Sequence, residues 1–352
     1  MFTFFNNDGR GAAGNPVNRF ERIVYAQNEE CDPLDAPSPT TEYYKDTSRS
    51  IISTNDSPDV GFEVSLKNPY RGCEHGCIYC YARPTHEYLG LSSGLDFESK
   101  IFVKEDAPRL LRKELASSKW EPKVLVMSGV TDCYQPIERK LEITRRCLEV
   151  LLDFRNPVAL ITKNRLIARD IDIFKQMAGY NGVAANVSVT TLDADLARVM
   201  EPRASTPIHR LTAIEELSKA GIPVNVMVAP IIPGLTDHEM PSIIKRAHDA
   251  GAQSAAYTVV RLPYAVKDLF ERWLEDHFLE RKSKVLNRLR SLRGGKLNDS
   301  TWGKRMSGEG IFADEIRKLF EVAVRKSGMK SRFKGLSIQA FRNPEEKQML
   351  LF

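Results

Sequence analysis

The chain carries the stretch Arg71-Gly72-Cys73-Glu74-His75-Gly76-Cys77-Ile78-Tyr79-Cys80, directly after an apolar, strand-like run at residues 61–66. Its cysteines have the spacing C-x3-C-x2-C, and thiolates are the soft ligands that iron–sulfur clusters and zinc select. The glycines at 72 and 76 let a loop fold tightly enough to aim three sulfurs inward. The stretch therefore predicts a soft-metal site on the loop after the first strand.

Three kinds of site fit this cysteine spacing. A [4Fe–4S] cluster held by three cysteines leaves one iron with an open position for a chelating substrate. A zinc site needs a fourth ligand, for which His75 and His86 are the candidates. Zinc sites usually pair two C-x2-C units, and the sequence has no second pair. The pattern favours the cluster, with zinc and an inert set of buried thiols as the alternatives.

The residues around this loop predict the fold. From about 61 to 262, short β-branched runs alternate with amphipathic stretches, which is typical of βα units around a parallel sheet. We predict strands at 61–66, 124–127, 157–162, 183–189, 224–229 and 255–260, and helices at 106–117, 139–154, 166–178, 206–220 and 238–250. Asp193 and Thr206 are candidate helix N-caps. The expected class is α/β, a partial (β/α)6 TIM-like barrel over 61–262.

The two ends of the chain differ from this barrel. Residues 1–60 are rich in Asn, Gly, Pro, Ser and Asp with little periodicity, and predict an extended N-terminal arm. Residues 263–347 predict a basic helical extension, with helices at 263–292 and 311–327. Segment 281–334 holds 16 Lys and Arg against 5 Asp and Glu. Such a segment suits an anionic partner such as DNA, and a solvated basic face without a partner is the alternative.

Composition excludes several classes of protein. With 42% hydrophobic and 28% charged residues, the chain matches an ordinary globular protein. No apolar run approaches the roughly 18 residues of a membrane span, and the N-terminus lacks the basic region and cleavage site of a signal peptide. Six cysteines in 352 residues do not make a disulfide scaffold. We expect a cytoplasmic protein with no membrane partner.

The C-x3-C-x-aromatic-C loop resembles the radical S-adenosylmethionine (SAM) superfamily, and the resemblance covers residues 61–262. Within that superfamily the chain is similar to spore photoproduct lyase-like proteins, often labelled DNA repair photolyases. The similarity rests on Asn68-Pro69-Tyr70-Arg71-Gly72-Cys73, Thr131-Asp132-Cys133-Tyr134-Gln135-Pro136-Ile137-Glu138, Thr162-Lys163-Asn164, Ser188-Val189-Thr190-Thr191 and Glu201-Pro202-Arg203. The resemblance implies a [4Fe–4S] cluster on Cys73, Cys77 and Cys80, with SAM chelating the open iron. An external electron donor then triggers cleavage of SAM to methionine and a 5′-deoxyadenosyl radical.

The resemblance also implies a SAM-binding rim, because active sites of βα barrels collect at the carboxyl ends of the strands. A loose match to the superfamily's Gly-Gly-Glu-like segment, which meets the SAM ammonium, covers Ser128, Gly129, Thr131 and Asp132. The expected contacts to the SAM carboxylate and ribose come from Lys163, Ser188 and Arg203, with Thr190 at the same strand end. The adenine is expected beside Tyr79, Ile231 and Pro233. A rim salt bridge is the alternative for Lys163 and Arg203, and a strand-end hydrogen bond for Ser188.

Cys133 and Tyr134 are the candidate catalytic residues, as donors of a hydrogen atom to the product radical. Spore photoproduct lyases of the best-known type use a cysteine near this strand end. Cys133 lies about three residues later than that cysteine, so a packed thiol is its alternative. Cys147 falls on the apolar face of the predicted helix 139–154 and is expected in the core.

The chain ends Gln348-Met349-Leu350-Leu351-Phe352, which resembles the Gln-x-x-Leu-Phe peptide that docks into bacterial sliding clamps. A tail that packs on its own barrel is the alternative. Together with the basic segment, this tail favours a radical SAM enzyme that acts on damaged or modified DNA. The phosphate contacts would come from Arg288, Arg290, Arg293, Lys296, Lys304 and Arg305. Radical SAM modification of tRNA, a peptide or a small metabolite stays open, as does a non-enzymatic, metal-binding DNA adaptor.

Overall fold

The computed structural model describes residues 3–4, 9–20, 40–60, 62–330 and 335–346. In chain order the strands are β1 (Thr3–Phe4), β2 (Gly14–Asn15), β3 (Glu42–Lys45), β4 (Ile52–Thr54), β5 (Val64–Leu66), β6 (Tyr70–Arg71), β7 (Lys100–Val103), β8 (Leu125–Met127), β9 (Val158–Thr162), β10 (Val183–Ser188), β11 (Val224–Ile231) and β12 (Ser254–Val259).

Helices cover most of the connections between these strands. They are α1 (Leu95–Ser99), α2 (Ala107–Leu115), α3 (Glu138–Leu141), α4 (Ile143–Phe154), α5 (Ile171–Ala178), α6 (Ala194–Met200), α7 (Pro207–Lys219), α8 (Met240–Asp249), α9 (Val266–Leu292) and α10 (Ile311–Ser327). Short 3-10 helices span Arg83–Leu89, Arg165–Asp170 and Asp237–Glu239.

The main sheet has the order β12-β11-β10-β9-β8-β5-β4 in the described residues. From β5 to β12 its neighbours pair in parallel and follow chain order, and β4 adds an antiparallel edge. Each predicted strand overlaps one of the parallel strands, so the α/β prediction is confirmed. Strands such as β8 are buried on both faces, which explains why they read as continuous apolar runs. A smaller sheet, β3-β7-β6, was not predicted because its strands are short and its β3 is exposed.

The predicted helices overlap the observed ones, with local differences. The predicted helices 166–178 and 238–250 each begin as a short 3-10 helix. The predicted helix 139–154 is interrupted at Glu142, whose φ of 52° separates α3 from α4. Helix α9 has a kink at Phe278, where φ is −145°. Asp193 caps α6 as predicted, because its side chain accepts from the amides of Asp195 and Leu196. Thr206 lies at the N-cap position of α7, but its hydroxyl contacts the ring of His209 instead of a helix amide.

Two apolar clusters make up most of the core. The larger one packs the sheet against helices α2, α4, α5, α7 and α8, and it includes Cys147 as predicted. The second packs Cys77 and Tyr79 against Ala12 of the N-terminal arm and against Phe270 of α9. The N-terminal arm and α9 therefore share one apolar cluster with the cysteine-containing loop.

Most of the basic side chains predicted to contact phosphates are instead used by the protein. Arg293 is buried and donates to the backbone carbonyls of Lys304, Arg305 and Val260. Three others form ion pairs, namely Arg288–Asp237, Lys304–Glu309 and Arg305–Asp59. Only Arg290 and Lys296 of this set lack an acidic partner among the described residues. The prediction of one phosphate-binding series is wrong for Arg293, because its guanidinium holds the fold together.

No helix within the described ranges is long and apolar enough to cross a membrane. The predicted clamp-binding residues 348–352 and Cys31 lie outside the described residues.

Candidate functional site

The cysteine loop, residues 72–82, lies at the rim where the parallel strands end. Cys73 and Cys77 are buried and Cys80 is half-buried. The amide of Cys73 donates to the carbonyl of Phe97 at 2.9 Å, and the amide of Cys80 donates to that of Cys77 at 3.1 Å. Burial raises the pKa of all three thiols, and the charge of Lys163 opposes this at Cys77 and Cys80. The loop thus brings three thiols together, with the Lys163 charge close to Cys77 and Cys80.

Two glycines give the cysteine loop its shape. Gly72 and Gly76 have φ values of 80° and 65°, in the left-handed region that favours glycine. A Cβ at 72 would lie 2.9 Å from Ile101, and one at 76 would lie 2.6 Å from the Glu98 carboxylate. A larger residue at either position would strain the left-handed backbone and would push the neighbouring side chains aside.

Arg83 stabilises the cysteine loop through hydrogen bonds to its backbone carbonyls. Its guanidinium donates to the carbonyls of Cys77 at 3.0 Å, Gly76 at 3.1 Å and Gly94 at 2.9 Å. It also pairs with Glu98, and both side chains are fully buried. One planar fork therefore satisfies several loop carbonyls at once, which a lysine could not do.

The N-terminal arm completes this support. The amides of Gly11 and Ala12 each donate to the Glu98 carboxylate at 2.9 Å. The backbones approach so closely that a Cβ on Gly11 would lie 1.7 Å from the Gly76 carbonyl oxygen. The arm is thus packed directly against the cysteine loop.

A second buried carboxylate, Glu201, lies on the other side of the loop. The hydroxyls of Tyr79 and Thr190 donate to one of its oxygens, and Arg210 pairs with the other. Burial alone would raise the pKa of Glu201, but the charges of Arg210 and Lys163 lower it to about 2. Glu201 therefore stays ionised and holds the hydroxyl of Tyr79.

The turn after β8 is held by Asp132 and Asn68. Asp132 accepts from the Thr162 hydroxyl at 2.8 Å and from the Lys163 amide at 2.8 Å, and lies 3.4 Å from His75. Burial opposes ionisation, but His75 and the surrounding donors hold the pKa of Asp132 below its usual value. The side chain of Asn68 accepts from the Ser128 amide at 2.9 Å and donates to Thr131. These contacts join the ends of three strands.

Lys163 stands apart from these networks. Its side chain is half-buried, with the ammonium 5.9 Å from the centre of the Tyr79 ring. It forms no ion pair within the part of the chain that the structure describes. A partly desolvated cation beside three thiols is suited to bind an anionic group of a ligand.

Comparison with known proteins identifies the family. The sequence model of the radical SAM superfamily matches residues 67–247, about half of the chain. The chain belongs to the radical SAM superfamily. An uncharacterised protein of Mycobacterium tuberculosis is 34% identical to it over 209 residues, which are 59% of this chain and 62% of that protein. This radical SAM chain therefore spans about three fifths of the length of that relative.

Two further proteins are similar to this radical SAM chain. The radical SAM Nα-GlyT isomerase of Pseudomonas phage M6 is 26% identical over 179 residues, 50% of this chain and 35% of that protein. A spore photoproduct lyase variant solved with AdoMet and dinucleoside spore photoproduct has a TM-score of 0.54 at 16% identity. That comparison covers 81% of this chain and 78% of the lyase. The structural likeness shows a shared fold.

Members of this superfamily use a [4Fe–4S] cluster and SAM, and the residues present fit these groups. The loop supplies three thiols, and its shape depends on two glycines at positions where an added Cβ would clash with neighbouring atoms. Among the described residues no three His, Cys, Asp or Glu side chains surround a single-ion position, whereas a cubane takes each cysteine on a different iron. The histidines weighed as zinc ligands are engaged elsewhere, His75 by Asp132 and Asn164, and His86 by the Lys100 carbonyl.

The predicted SAM-binding residues of this radical SAM protein fall into two groups. Lys163, Ser128 and Gly129 lie at the rim, and the Gly129 carbonyl accepts from the Tyr81 hydroxyl. The polar side chains of the others are occupied by the protein: Thr131 by Asn68, Asp132 by Thr162 and His75, and Thr190 and Tyr79 by Glu201. Ser188 is buried at the end of β10, where its carbonyl accepts from Arg210.

Arg203 forms the rim salt bridge that was the alternative to a SAM contact. Its guanidinium lies 3.7 Å from Glu74 and donates to the Thr41 hydroxyl at 3.1 Å. Ile231 is buried in the main core. Pro233 lines a cavity of about 370 Å³ with Asp237, Arg288 and Phe312, between the 3-10 helix Asp237–Glu239, α9 and α10. The expectation that Ile231 and Pro233 lie beside the adenine stays a prediction.

Cys133 and Tyr134 are both buried in the main core, which favours packing over the predicted catalytic roles. The Tyr134 hydroxyl donates to Asp170 at 3.0 Å, in a group of charges that includes Arg145. Cys133 packs near Tyr70, and burial raises the pKa of its thiol. The packed-thiol alternative describes Cys133, and Tyr134 positions the 3-10 helix that carries Asp170.

The sequence missed several residues that shape this site. Asn68 and Glu201 were in the quoted motifs but had no assigned role, and Arg83 lies three residues after Cys80. Arg210 and Glu98 carried no sequence signal, since each is a charged residue within a helical stretch. Only their burial and mutual distances reveal them.

Proposed function

We propose that this chain is a radical SAM enzyme that acts on a base of damaged or modified DNA. The observation that carries the proposal is the placement of Cys73, Cys77 and Cys80 at the carboxyl rim of the parallel sheet, beside the unpaired cation of Lys163. Open α/β sheets bind their ligands at this edge.

When bound, the cluster and SAM supply a carbon-centred radical that abstracts hydrogen from a substrate. The chain's own residues bind SAM and keep the cysteine loop in its orientation. Lys163 is suited to the SAM carboxylate, and the backbone of Ser128 and Gly129 to its ammonium. Glu201 and Arg83 hold the two sides of the cysteine loop, so that the three thiols stay in place while ligands exchange.

A nucleic-acid substrate is supported by an aromatic side chain at the mouth of the site. Tyr81 directly follows Cys80, is 43% exposed, and has the Arg261 guanidinium 4.8 Å from its ring centre. Aromatic and arginine planes of this kind stack on unpaired bases. A base that reacts by hydrogen abstraction must leave the helical stack first. The dinucleoside spore photoproduct named for the lyase variant agrees with this class.

The alternatives from the sequence remain distinguishable. An enzyme that modifies tRNA, a peptide or a small metabolite would use the same thiols and Lys163. It would contact its substrate through residues other than Tyr81 and Arg261 at the entrance of the site. A metal-binding DNA adaptor would keep the thiols and lack SAM cleavage. Clamp binding by residues 348–352 and a cytoplasmic location stay predictions.

The test is SAM cleavage by protein reconstituted anaerobically with iron and sulfide. We expect 5′-deoxyadenosine and methionine after reduction of the wild-type protein, and neither from Cys73→Ala, Cys77→Ala or Cys80→Ala. Cys147→Ala is the matched control, because Cys147 is buried in the core away from the rim, and it should retain both iron and cleavage. Equal cleavage by the loop variants would contradict the proposal.

The substrate is tested by adding ultraviolet-damaged single-stranded DNA, undamaged DNA or tRNA to the same reaction. We expect mass-shifted bases only in the damaged DNA. Products only in tRNA would favour the alternative enzyme, and SAM binding without cleavage would favour the adaptor.

A further inference from the structure

A cavity of about 420 Å³ lies at the rim, outside the cysteine loop. It is formed where the 3-10 helix Arg165–Asp170 and helix α7 both begin, next to α3. Its polar walls come from Arg139, Asn164, Arg165, Arg169, Ser205, His209 and the carboxylate of Glu216. Neither the SAM contacts nor the cluster ligands proposed above use it.

The arginines of this cavity are held in different ways. Arg165 pairs with Glu216 at 2.5 Å, and Arg169 with Glu138 at 2.8 Å. These carboxylates fix the direction of both side chains. Arg139 is exposed and forms no ion pair with any residue in the described ranges. The cavity thus has one free guanidinium beside two that are already oriented.

The start of helix α7 adds backbone donors to this wall. Pro207 occupies its first turn, and the Thr206 hydroxyl lies 3.0 Å from Nδ1 of the His209 ring. No side chain therefore caps the first amides of this 13-residue helix. Uncapped amides and the positive end of the helix dipole favour an anion.

Asn164 connects the cavity to the cysteine loop. Its amide nitrogen lies 3.3 Å from Nε2 of His75, and its amide oxygen accepts from the Ser205 hydroxyl at 3.1 Å. The Ser205 amide also donates to the carbonyl of Lys163 at 3.2 Å. A ligand in this cavity would lie beside the proposed SAM site, on the same rim.

We propose that this cavity binds a backbone phosphate of the nucleic-acid substrate, next to the nucleotide that reacts. The inference rests on the proposed function and adds where the substrate is gripped. Arginine forks match phosphate oxygens in a bidentate way. A phosphate contact would set the register of the strand, while base contacts at the mouth choose the nucleotide.

The experiment is a titration of a fluorescent single-stranded oligonucleotide into reconstituted protein at several salt concentrations. Arg139→Gln removes the free guanidinium. Arg155→Gln is the matched control, because Arg155 is exposed, lacks an acidic partner in the described residues, and lies at the C-terminal end of α4, whereas Arg139 lies on α3 before α4 begins. Losing one contact to a single strand lowers the slope of log affinity against log salt by about 0.7. We expect this change for Arg139→Gln and none for Arg155→Gln.

Equal slopes for the two variants would overturn the phosphate site. Inorganic phosphate and a mononucleotide are tested separately as competitors of the oligonucleotide. We expect both to compete only weakly, because a single group cannot engage the mouth and the cavity together. Binding of free phosphate as tight as that of the oligonucleotide would overturn the assignment to a nucleic-acid backbone. SAM cleavage by the wild type without any oligonucleotide tests the proposed function separately, so the two failures can be told apart.

Discussion

Arg210 and Glu201 form an ion pair that is buried below the cysteine loop, with side-chain exposures of 1% and 0%. The pair links helix α7 to Tyr79, because the Tyr79 hydroxyl donates to the other oxygen of Glu201. A charge pair at this depth requires both partners, since one left alone would be buried without compensation. The cysteine loop therefore depends on a helix that starts more than a hundred residues later in the chain.

Removing the carboxylate should destabilise the protein strongly. Glu201→Gln leaves the Arg210 charge buried and unpaired, which costs about 3–5 kcal/mol of unfolding free energy. Urea denaturation measures this change. Glu215→Gln is the control, on the helix α7 that carries Arg210. Glu215 pairs with Lys219 at the surface, so this change should cost less than about 1 kcal/mol of unfolding free energy. Similar losses of unfolding free energy for both variants would show that the buried Glu201–Arg210 pair stabilises the protein no more than a surface pair does.

The same carboxylate should make stability depend on acid. Its folded pKa of about 2 lies below the ordinary value of 4.5. The unfolded chain therefore takes up a proton first as the pH falls, so this contribution is complete above about pH 4.5 and is lost towards pH 2. It amounts to roughly 3 kcal/mol. We expect the difference in unfolding free energy between wild type and Glu201→Gln to shrink across this window. A constant difference between pH 6 and pH 3 would contradict it.

The contact between the arm and the loop predicts a role for Gly11 in cluster retention. Gly11→Ala places a methyl group against the Gly76 carbonyl, where neither backbone can move cheaply. Displacing the arm loses two hydrogen bonds to the Glu98 carboxylate, worth about 1.5–3 kcal/mol each. We expect a lower melting temperature and less iron per chain. Gly335→Ala is the control, because a Cβ there meets only open space. Full iron content in Gly11→Ala would show that the loop holds its shape without the arm.

Lys163 should contribute to SAM affinity. A charge-assisted hydrogen bond contributes about 1.5–3 kcal/mol, so Lys163→Gln should weaken SAM binding by roughly ten- to a hundredfold. Isothermal titration with reconstituted protein measures the Kd. Lys175→Gln removes an exposed charge near the end of α5 and should leave the Kd unchanged. If both variants bind SAM like the wild type, another residue holds the carboxylate.

Cys133 should behave as a packing residue. Cys133→Ala removes a buried sulfur and should cost on the order of 1 kcal/mol of stability, while the yield of 5′-deoxyadenosine and the substrate product stay unchanged. Cys147→Ala, equally buried in the same core, should match it. A variant that cleaves SAM normally but releases an altered product would restore the hydrogen-donor role.

The sequence alone determined the features that depend on local pattern. The parallel strands follow from β-branched runs that are buried on both faces, and the predicted cluster ligands follow from the spacing of Cys73, Cys77 and Cys80 within eight residues. Both signals lie within short windows of the chain. The residue types at the strand ends also placed Lys163 correctly at the rim.

Only the tertiary structure decided which charged and polar side chains are free to bind a ligand. Cys133, Asp132, Arg203 and Arg293 read as functional residues in the sequence, but partners that are distant in the chain bury or occupy them. Glu201 gained its role because Arg210 and Tyr79 meet it only after the strands assemble. Pairing of this kind depends on distances between elements, which residue spacing along the chain does not contain.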